Sequence, residues 1–270
     1  MSNFTGEKEK LFVIKIGGNV IDDPEKLNSF LKSFSKIKSK KILVHGGGKI
    51  ATAIGEKLGI QSKYIDGRRI TDDETIDLVT MVYGGLVNRK IVAQLQSFNC
   101  NAIGLTGADA NLLPAEKRVV KEIDYGWAGD IEIDKINSKS WELFLQSGLT
   151  PVVAPLTHDT NGHILNTNAD TIASVIAVAL SSFFQTNLVF CFEKNGILEN
   201  VDDHNSVIDK INEADYYSLR NSNKLFAGIL PKIDNAFDAI HKGVNEVIIG
   251  NSAQLSLLIN GESGTKISLL

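Results

Sequence analysis

Residues 11–18 read LFVIKIGG, and residues 41–48 read KILVHGGG. Each stretch is a nearly continuous apolar run that ends in consecutive glycines, a pattern typical of a buried parallel strand that turns into a helix. After the first stretch, Asp23 and Pro24 form a helix start, and apolar residues then recur at helical spacing. The chain therefore opens with the order β-α-β-α.

The same alternation continues to the end of the sequence. Apolar runs predict further strands at residues 101–106, 150–156, 187–192, 244–249 and 264–269. Helical periodicity predicts helices at residues 72–98, 170–180, 214–220, 231–242 and 253–259, and hairpins are predicted at 66–71 and 119–133. Strands that alternate with helices predict an α/β fold, a three-layer α/β/α sandwich around a mostly parallel central sheet.

Composition narrows the class of protein. Of the 270 residues, 43% are hydrophobic and 22% are charged, which excludes a disordered chain. The net charge of −4 disfavours a general nucleic-acid binder. The longest apolar stretch, 172–180, is shorter than the roughly 20 residues of a membrane span, and the N-terminus has no apolar signal region. Cys100 and Cys191 read as buried free thiols, so we expect a cytoplasmic protein without membrane or nucleic-acid partners.

The two glycine loops are candidates for an anion site. Glycine allows the backbone to approach a ligand closely, and N–H groups at a helix N-terminus attract anions. A single loop of this kind is more often a plain strand–helix turn, but two on neighbouring strands would make one cradle. Lys15 lies within the first strand, where a buried lysine is costly unless it reaches an anion. These loops therefore favour ligand binding, although a lysine at the sheet edge remains an alternative for Lys15.

The second loop also matches a dinucleotide-binding pattern. Gly46, Gly48 and Ala51 satisfy G-x-G-x-x-A, and Asp66 lies 20 residues beyond Gly46. That acidic residue should end a second strand, whereas Asp66 falls in a predicted turn. A dehydrogenase is therefore only a weak hypothesis for this chain.

Other charged residues have two interpretations each. Lys232 follows Pro231 at a helix start, where a cation is disfavoured unless it faces a phosphate, and a solvated lysine is the commoner case. Asp170 could cap the apolar helix that follows it or orient the lysines. Arg69 could bind a carboxylate with two hydrogen bonds or lie on the surface. His45 precedes the glycines and is expected to fix the loop rather than to do chemistry.

Six short motifs occur in one order along nearly the whole chain. They resemble, together, the amino acid kinase family and specifically its branch that acts on acylated glutamate; the motifs lie at residues 15–18, 45–48, 67–71, 104–107, 166–170 and 228–232. Each motif alone is weak, but six in order separate this branch from the carbamate, aspartate and uridylate kinases of the family.

The resemblance implies an activity and roles for its residues. ATP would phosphorylate the side-chain carboxylate of N-acetyl-L-glutamate, the second step of arginine biosynthesis, with Mg²⁺ bound through the nucleotide phosphates and no metal site made of protein ligands alone. Lys15 and Lys232 would stabilise the transferring phosphoryl group, and Asp170 would hold both lysines. The resemblance assigns substrate binding to Gly47, Gly48, Arg69 and Asn166, and ATP binding to Gly17, Gly18, Glu193, Gly196, Leu198, Lys224 and Phe226.

The resemblance also implies a two-lobed organisation. Residues 1–182 would bind the acyl amino acid, residues 183–270 would bind the nucleotide, and the lobes would close for transfer. Arginine-regulated relatives carry a long helical extension before the first strand and form hexamers, whereas only residues 1–10 precede it here. We therefore expect a homodimer without arginine inhibition, with residues 73–98 as the candidate interface helix.

Two departures from the family pattern keep alternatives open. The nucleotide segment reads FEKNG at residues 192–196, where relatives usually show T/S-D-x-x-G. Trp127 stands at a predicted hairpin tip that is usually lighter, so the acyl group could be larger than acetyl, and N-succinyl-L-glutamate is the alternative substrate. A catalytically inactive amino-acid or nucleotide sensor is an alternative of another class, which Lys15, Asp170 and Lys232 disfavour.

Overall fold

The structure is a computed structural model that describes residues 8–200, 202–203, 206–221 and 229–269. Within these ranges the strands are, in chain order, β1 (Lys10–Ile16), β2 (Lys40–His45), β3 (Tyr64–Ile65), β4 (Arg68–Arg69), β5 (Ala102–Leu105), β6 (Ala115–Lys117), β7 (Gly129–Ile131), β8 (Thr150–Val153), β9 (Leu156–His158), β10 (Ile164–Asn166), β11 (Gln185–Phe192), β12 (Lys210–Ile211), β13 (Glu246–Asn251) and β14 (Thr265–Ile267). The α-helices are α1 (Gly18–Ile21), α2 (Pro24–Ser35), α3 (Gly48–Lys57), α4 (Asp73–Val79), α5 (Asn88–Ser97), α6 (Ser138–Gln146), α7 (Ala169–Leu180), α8 (Glu213–Asn221), α9 (Leu230–His241) and α10 (Leu255–Asn260). No helix in these ranges is both long enough and apolar enough to cross a membrane.

One eight-stranded sheet contains the strands in the order β12-β14-β13-β11-β1-β2-β8-β5. Its neighbouring strands pair in parallel, except for β13 with β14. β1 lies in the middle, between β11 and β2. A central parallel strand is covered on both faces, which is why residues 11–14 and 16 are apolar and buried without alternation. The predicted mostly parallel sheet is therefore confirmed.

Alternate residues of β1 belong to two separate hydrophobic cores. Val13 belongs to a core on one face that includes Ile176 of α7 and Phe237 of α9. Ile14 points to the opposite face and belongs to a core that includes Phe34 of α2. Full burial of one such side chain contributes about 1.5–3 kcal/mol to folding. Helices thus cover both faces of the sheet, which confirms the three-layer α/β/α sandwich.

In the described part of the chain, three short hairpins lie outside the main sheet, namely β3–β4, β6–β7 and β9–β10. Bridges of Gly126 to Thr71 and of Ala128 to Asn166 join the β6–β7 connection to the other two hairpins. The predicted hairpin at 119–133 was misplaced, because its strands are Ala115–Lys117 and Gly129–Ile131. Val119 and Val120 suggested a strand, but both are exposed in the loop.

The predicted helix at 72–98 is interrupted near its middle. The segment Thr80–Val87 is a π-helix between α4 and α5, and it contains the adjacent glycines Gly84 and Gly85. One face of this π-segment is buried, with Tyr83 against the second glycine loop. Met81 and Leu86 are exposed on it. π-helical turns are frequent at functional sites, and this one lies beside a loop that the sequence singled out.

Candidate active site

The two glycine loops leave the sheet side by side. Ile16 of β1 is paired with His45 of β2, and the strands are parallel, so Gly17 and Gly46 follow at the same edge. Gly47 is the N-cap of α3 and has φ 152°, a backbone conformation that favours glycine. The first N–H groups of α3 have no partner within the helix and are available to an anion. The predicted pairing of the two loops at one edge is confirmed.

A cavity of about 240 Å³ opens beside the second loop. The residues predicted to bind the substrate, Gly47, Gly48, Arg69 and Asn166, all line it. Its wall is rich in guanidinium groups, because Arg68 and Arg118 line it as well. Backbone N–H groups and guanidinium groups together suit a ligand that carries more than one carboxylate or phosphate.

Arg69 is held in one orientation at the cavity wall. Its guanidinium donates hydrogen bonds to the Gly48 carbonyl at 2.8 Å, to Thr52 Oγ1 at 3.0 Å and to the Ser62 hydroxyl. It also lies over the Tyr64 ring, with 4.8 Å between Cζ and the ring centroid. Arg69 is only 7% exposed, so the alternative of an ordinary surface arginine is wrong.

Lys15 and Asp170 form an ion pair close to the glycine loops. The Lys15 Nζ lies 2.7 Å from Asp170 Oδ1, and the Lys15 side chain is 18% exposed. Asp170 does not cap α7, because Asn168 is the N-cap residue and its Oδ1 accepts from the N–H groups of Asp170 and Thr171. The Asp170 carboxylate is thus free to orient Lys15 at the carboxyl end of β1.

A second cavity, of about 380 Å³, adjoins the first. Asp170 and Lys232 line it, and Arg68 and Asn168 line both cavities. The Lys232 Nζ lies 5.2 Å from the centroid of the Phe192 ring, at the end of β11. Asp170 and Lys232 therefore lie on the wall of the second cavity, and Lys15 contacts Asp170, whereas the described residues show no ion pair between Asp170 and Lys232.

The predicted nucleotide-binding residues follow two strands. Gly17 and Gly18 begin the first glycine loop, and Glu193 follows the end of β11. Leu198 is buried and forms a bridge with Val207, while a Cβ at Gly196 would lie 2.6 Å from Val207 Cγ1. The other two residues, Lys224 and Phe226, lie outside the described residues.

Trp127 lies at the edge of the site rather than in its wall. Its indole stacks on His163, with centroids 4.8 Å apart, and its Nε1–H donates to Asp73 at 2.6 Å. The next residue, Ala128, lines the first cavity. Arg118 enters the same wall and forms an ion pair with Asp130. The feature that distinguishes this part of the cavity is therefore a guanidinium group, not the indole.

Several residues of the site were missed in the sequence. Tyr83 and Arg118 line the first cavity, and Asn88 hydrogen-bonds to His45 beneath it. Tyr83 and Asn88 lie within one long helical pattern, where nothing distinguishes them from packing residues. Arg118 directly precedes the predicted hairpin at 119–133 and was assigned to no element.

Asp66 and His45 are two further polar residues that the sequence singled out. Asp66 lies in the β3–β4 turn with φ 50°, so it cannot serve as the acidic residue of a dinucleotide fold. His45 is completely buried, its Nδ1 lies 2.7 Å from the Gly46 carbonyl, and burial lowers its pKa to about 4. The prediction that His45 fixes the loop is confirmed. No group of three or more His, Cys, Asp or Glu residues in the described ranges could hold a metal ion.

Comparison with known proteins agrees with this geometry. Residues 10–251 match the model of the amino acid kinase family. Acetylglutamate kinase of Cytophaga hutchinsonii is 55% identical over 262 residues, which cover 96% of this chain and 98% of that protein. Acetylglutamate kinase of Bacteroides fragilis is 50% identical over 260 residues, which cover 96% of this chain and 97% of that protein.

The fold has solved counterparts. Carbamate kinase from Giardia lamblia bound to AMP-PNP superposes with a TM-score of 0.68 at 15% identity, over 98% of this chain and 99% of that one. A likeness at this level of identity shows a shared fold alone. The family match and the sequence relatives also show the family. The chain belongs to the amino acid kinase family, and the relatives that it matches over nearly their whole length are acetylglutamate kinases.

Proposed function

We propose that this protein transfers the γ-phosphoryl group of ATP to the side-chain carboxylate of N-acetyl-L-glutamate, the second step of arginine biosynthesis. The observation that carries the proposal is the Lys15–Asp170 ion pair at the edge where both glycine loops end. The names of the relatives, acetylglutamate kinases at 50–55% identity, support the same substrate.

The residues of the site suit this reaction better than one that needs a base. A carboxylate is already ionised at neutral pH, so its oxygen can attack phosphorus without losing a proton. Two anions must approach each other, so cations and N–H donors should dominate the site. Lys15 and Lys232 would stabilise charge on the transferring group, and Asp170 would keep Lys15 from moving away.

The first cavity would hold the acyl amino acid. Arg69 presents a guanidinium that internal hydrogen bonds already orient, and it would bind the α-carboxylate. Asn166 lies on the same wall and donates to Thr71 Oγ1 at 3.0 Å. Gly47 and Gly48 would offer their N–H groups to the reacting carboxylate or to the phosphoryl oxygens.

ATP would enter from the side of β11. Gly17, Gly18 and the residues after Phe192 support this placement, because they end two neighbouring strands of the sheet. Mg²⁺ would arrive on the nucleotide, since it keeps several waters and binds mainly through substrate phosphates. We propose that residues 1–182 form a lobe for the acyl amino acid and residues 183–270 a lobe for ATP. The two lobes would close before transfer.

The test is an ATP-consumption assay with hydroxylamine, which traps an acyl phosphate as a hydroxamate. N-acetylglutamate, N-succinylglutamate and free glutamate are compared at equal concentration. We expect hydroxamate from an acylated substrate and none from free glutamate. Protein that binds ATP but forms no hydroxamate from any of the three would contradict the kinase and support the sensor.

The same assay decides between two acyl groups. N-succinylglutamate carries a third carboxylate, and one observation favours it: Arg118 lines the first cavity in addition to Arg68 and Arg69. Against it, Asp130 already pairs with Arg118, and the relatives carry the acetyl name. Turnover of N-acetylglutamate equal to or better than that of the succinyl compound would exclude this second candidate.

Replacing Arg69 by lysine should weaken substrate binding more than chemistry. Lysine keeps the charge but cannot make two parallel hydrogen bonds to a carboxylate. One lost charged hydrogen bond corresponds to about 1.5–3 kcal/mol, or roughly 10–100-fold in the KM for the acyl amino acid, with a smaller change in kcat. Arg220→Lys is the matched control, because Arg220 pairs with Asp234 on the surface. An unchanged KM in Arg69→Lys would remove Arg69 from the substrate site.

We also propose a cytoplasmic homodimer. Met81 and Leu86 are 56% and 38% exposed on the π-segment of the helix that the sequence singled out as an interface. A second copy that covers these side chains would bury apolar surface that one chain leaves in water. Light scattering should give twice the 29.4 kDa mass of one chain, and Met81→Asp should shift the protein toward monomer. A monomeric wild type at micromolar concentration would contradict this.

A further inference from the structure

A buried chain of hydrogen bonds lies beneath the second glycine loop. Asn88, the first residue of α5, donates from Nδ2 to the Val152 carbonyl of β8 at 2.9 Å. The same Nδ2 lies 3.1 Å from His45 Nε2, and His45 Nδ1 lies 2.7 Å from the Gly46 carbonyl. Asn88 and His45 are both completely buried. The chain therefore connects a strand carbonyl to the loop through two side chains that do not line the cavity.

The contacts define the protonation state of His45. A carbonyl oxygen only accepts, so Nδ1 must carry the proton that bonds to Gly46. The Val152 carbonyl fixes which end of the Asn88 amide is nitrogen, since the amide oxygen there would face another oxygen. The second N–H of that nitrogen then points at Nε2, which must be an acceptor. The imidazole is thus neutral, and its low pKa agrees with this.

This arrangement sets the direction of one peptide group of the loop. A trans peptide is planar, and its C=O and N–H point in opposite directions. Because the Gly46 carbonyl points at His45, the Gly47 N–H points away from His45, on the side of the cavity that Gly46, Gly47 and Gly48 line. Tyr83 packs against the same glycine, since a Cβ on Gly47 would lie 3.0 Å from Tyr83 Cδ1. The hydrogen bond from His45 and the packing of Tyr83 therefore both fix the orientation of this peptide.

We propose that Asn88 and His45 are positioning residues for phosphoryl transfer, which aim the Gly47 N–H at the oxygen that gains charge during the reaction. The inference rests on the proposed function, because it needs an anionic oxygen to be bound at the loop. A donor that is aimed before the substrate arrives stabilises the transition state without reorganisation. Asn88 acts through His45, and His45 acts through the Gly46 peptide.

Two isosteric variants separate aiming from packing. In His45→Asn, the amide nitrogen can occupy the place of Nδ1 and still donate to the Gly46 carbonyl. In His45→Gln, it reaches only the place of Nε2, and the bond to the loop is lost. Since removing a whole donor of this kind costs about 100–1000-fold in kcat, misaiming one should lower kcat of His45→Gln by roughly 10–100-fold. His45→Asn should stay within about threefold of the wild type, and both KM values should change little.

Stability and a remote histidine provide the controls. Melting temperatures identify any loss of kcat that merely follows unfolding. His241→Leu, which loses a surface contact with Glu213, should keep wild-type kcat. Equal kcat in His45→Asn and His45→Gln would overturn the proposal, while a wild type that forms no hydroxamate would instead overturn the proposed function.

A spectroscopic readout on the wild-type protein does not depend on the folding of any variant. Nitrogen-15 spectra of the imidazole should show the neutral Nδ1–H tautomer of His45 from pH 5 to 8. In Asn88→Ala, the second tautomer should become populated, and kcat should fall with it. An Nε2–H tautomer or an imidazolium in the wild-type enzyme would overturn the proposal by itself.

Discussion

Lys15→Met should lower the kcat for acyl phosphate formation by about a thousandfold, in line with the loss of a single cation from a phosphoryl-transfer site. Lys15 lies at the carboxyl end of β1, two residues before the first glycine loop, and Asp170 holds its Nζ at 2.7 Å. Charge develops on the phosphoryl oxygens mainly in the transition state, so the KM of each substrate should change far less than kcat. Steady-state hydroxamate formation measures both quantities.

A second lysine of the same strand provides the matched control. Lys10 begins β1 at the opposite end and is exposed, so Lys10→Met removes the same charge away from the site. It should keep wild-type kcat. Neither variant should lose more than about 1 kcal/mol of stability, because the Asp170 side chain that Lys15 leaves behind is 40% exposed and can be solvated. A Lys15→Met enzyme within about tenfold of the wild type would take Lys15 out of the transfer step.

Gly47→Ala should lower both stability and activity. At φ 152° a side chain is strained, and the new Cβ would lie 3.0 Å from Tyr83 Cδ1 and 3.3 Å from Tyr83 Cε1. Backbone strain and overpacking each cost about 1–3 kcal/mol, so we expect a loss of about 2–6 kcal/mol in the free energy of unfolding. A shift of the loop by about 1 Å should cost a further factor of roughly 100 in kcat. Chemical denaturation and the hydroxamate assay measure the two effects.

Gly59 separates strain from steric contact. It also has positive φ, at 79°, but a Cβ there meets no atom within 4 Å. Gly59→Ala should therefore cost only about 1 kcal/mol and leave kcat unchanged. If Gly47→Ala were no less stable than Gly59→Ala, the contact with Tyr83 would not constrain the loop.

The main elements of the fold could be predicted because their local signals agree with their packing. Asp23 accepts hydrogen bonds from the N–H groups of Glu25 and Lys26, with Pro24 at the first helical position, as the helix-start pattern predicted. The apolar run of β1 is buried on both faces. Where local and global signals disagree, the prediction was wrong. Val119 and Val120 have high strand propensity, yet both lie in the connection between β6 and β7 and face water.

The site was predictable only where it has a motif. The resemblance assigned Lys15, Asp170, Arg69 and Asn166, and the structure brings them to one edge of the sheet. Asn88 could not be found in this way, because a polar residue inside an amphipathic helix is usually solvated. Its function depends on β2 and β8 lying side by side, and no local pattern encodes that long-range contact.

Buried contacts on and beside the π-helical segment Thr80–Val87 limit the changes of length that this region can accept. An α-helix turns by about 100° per residue, so deleting one residue from α4 would rotate the π-segment and α5 by that angle relative to Asp73, which accepts a hydrogen bond from Trp127. Asn88 would then leave both His45 and Val152, and Tyr83 would leave Gly47. The helix α4 should therefore reject single-residue insertions and deletions that the exposed loop residues 119–122 tolerate. Met81 and Leu86 face outward, yet their positions on the surface depend on the buried hydrogen bonds of Asn88.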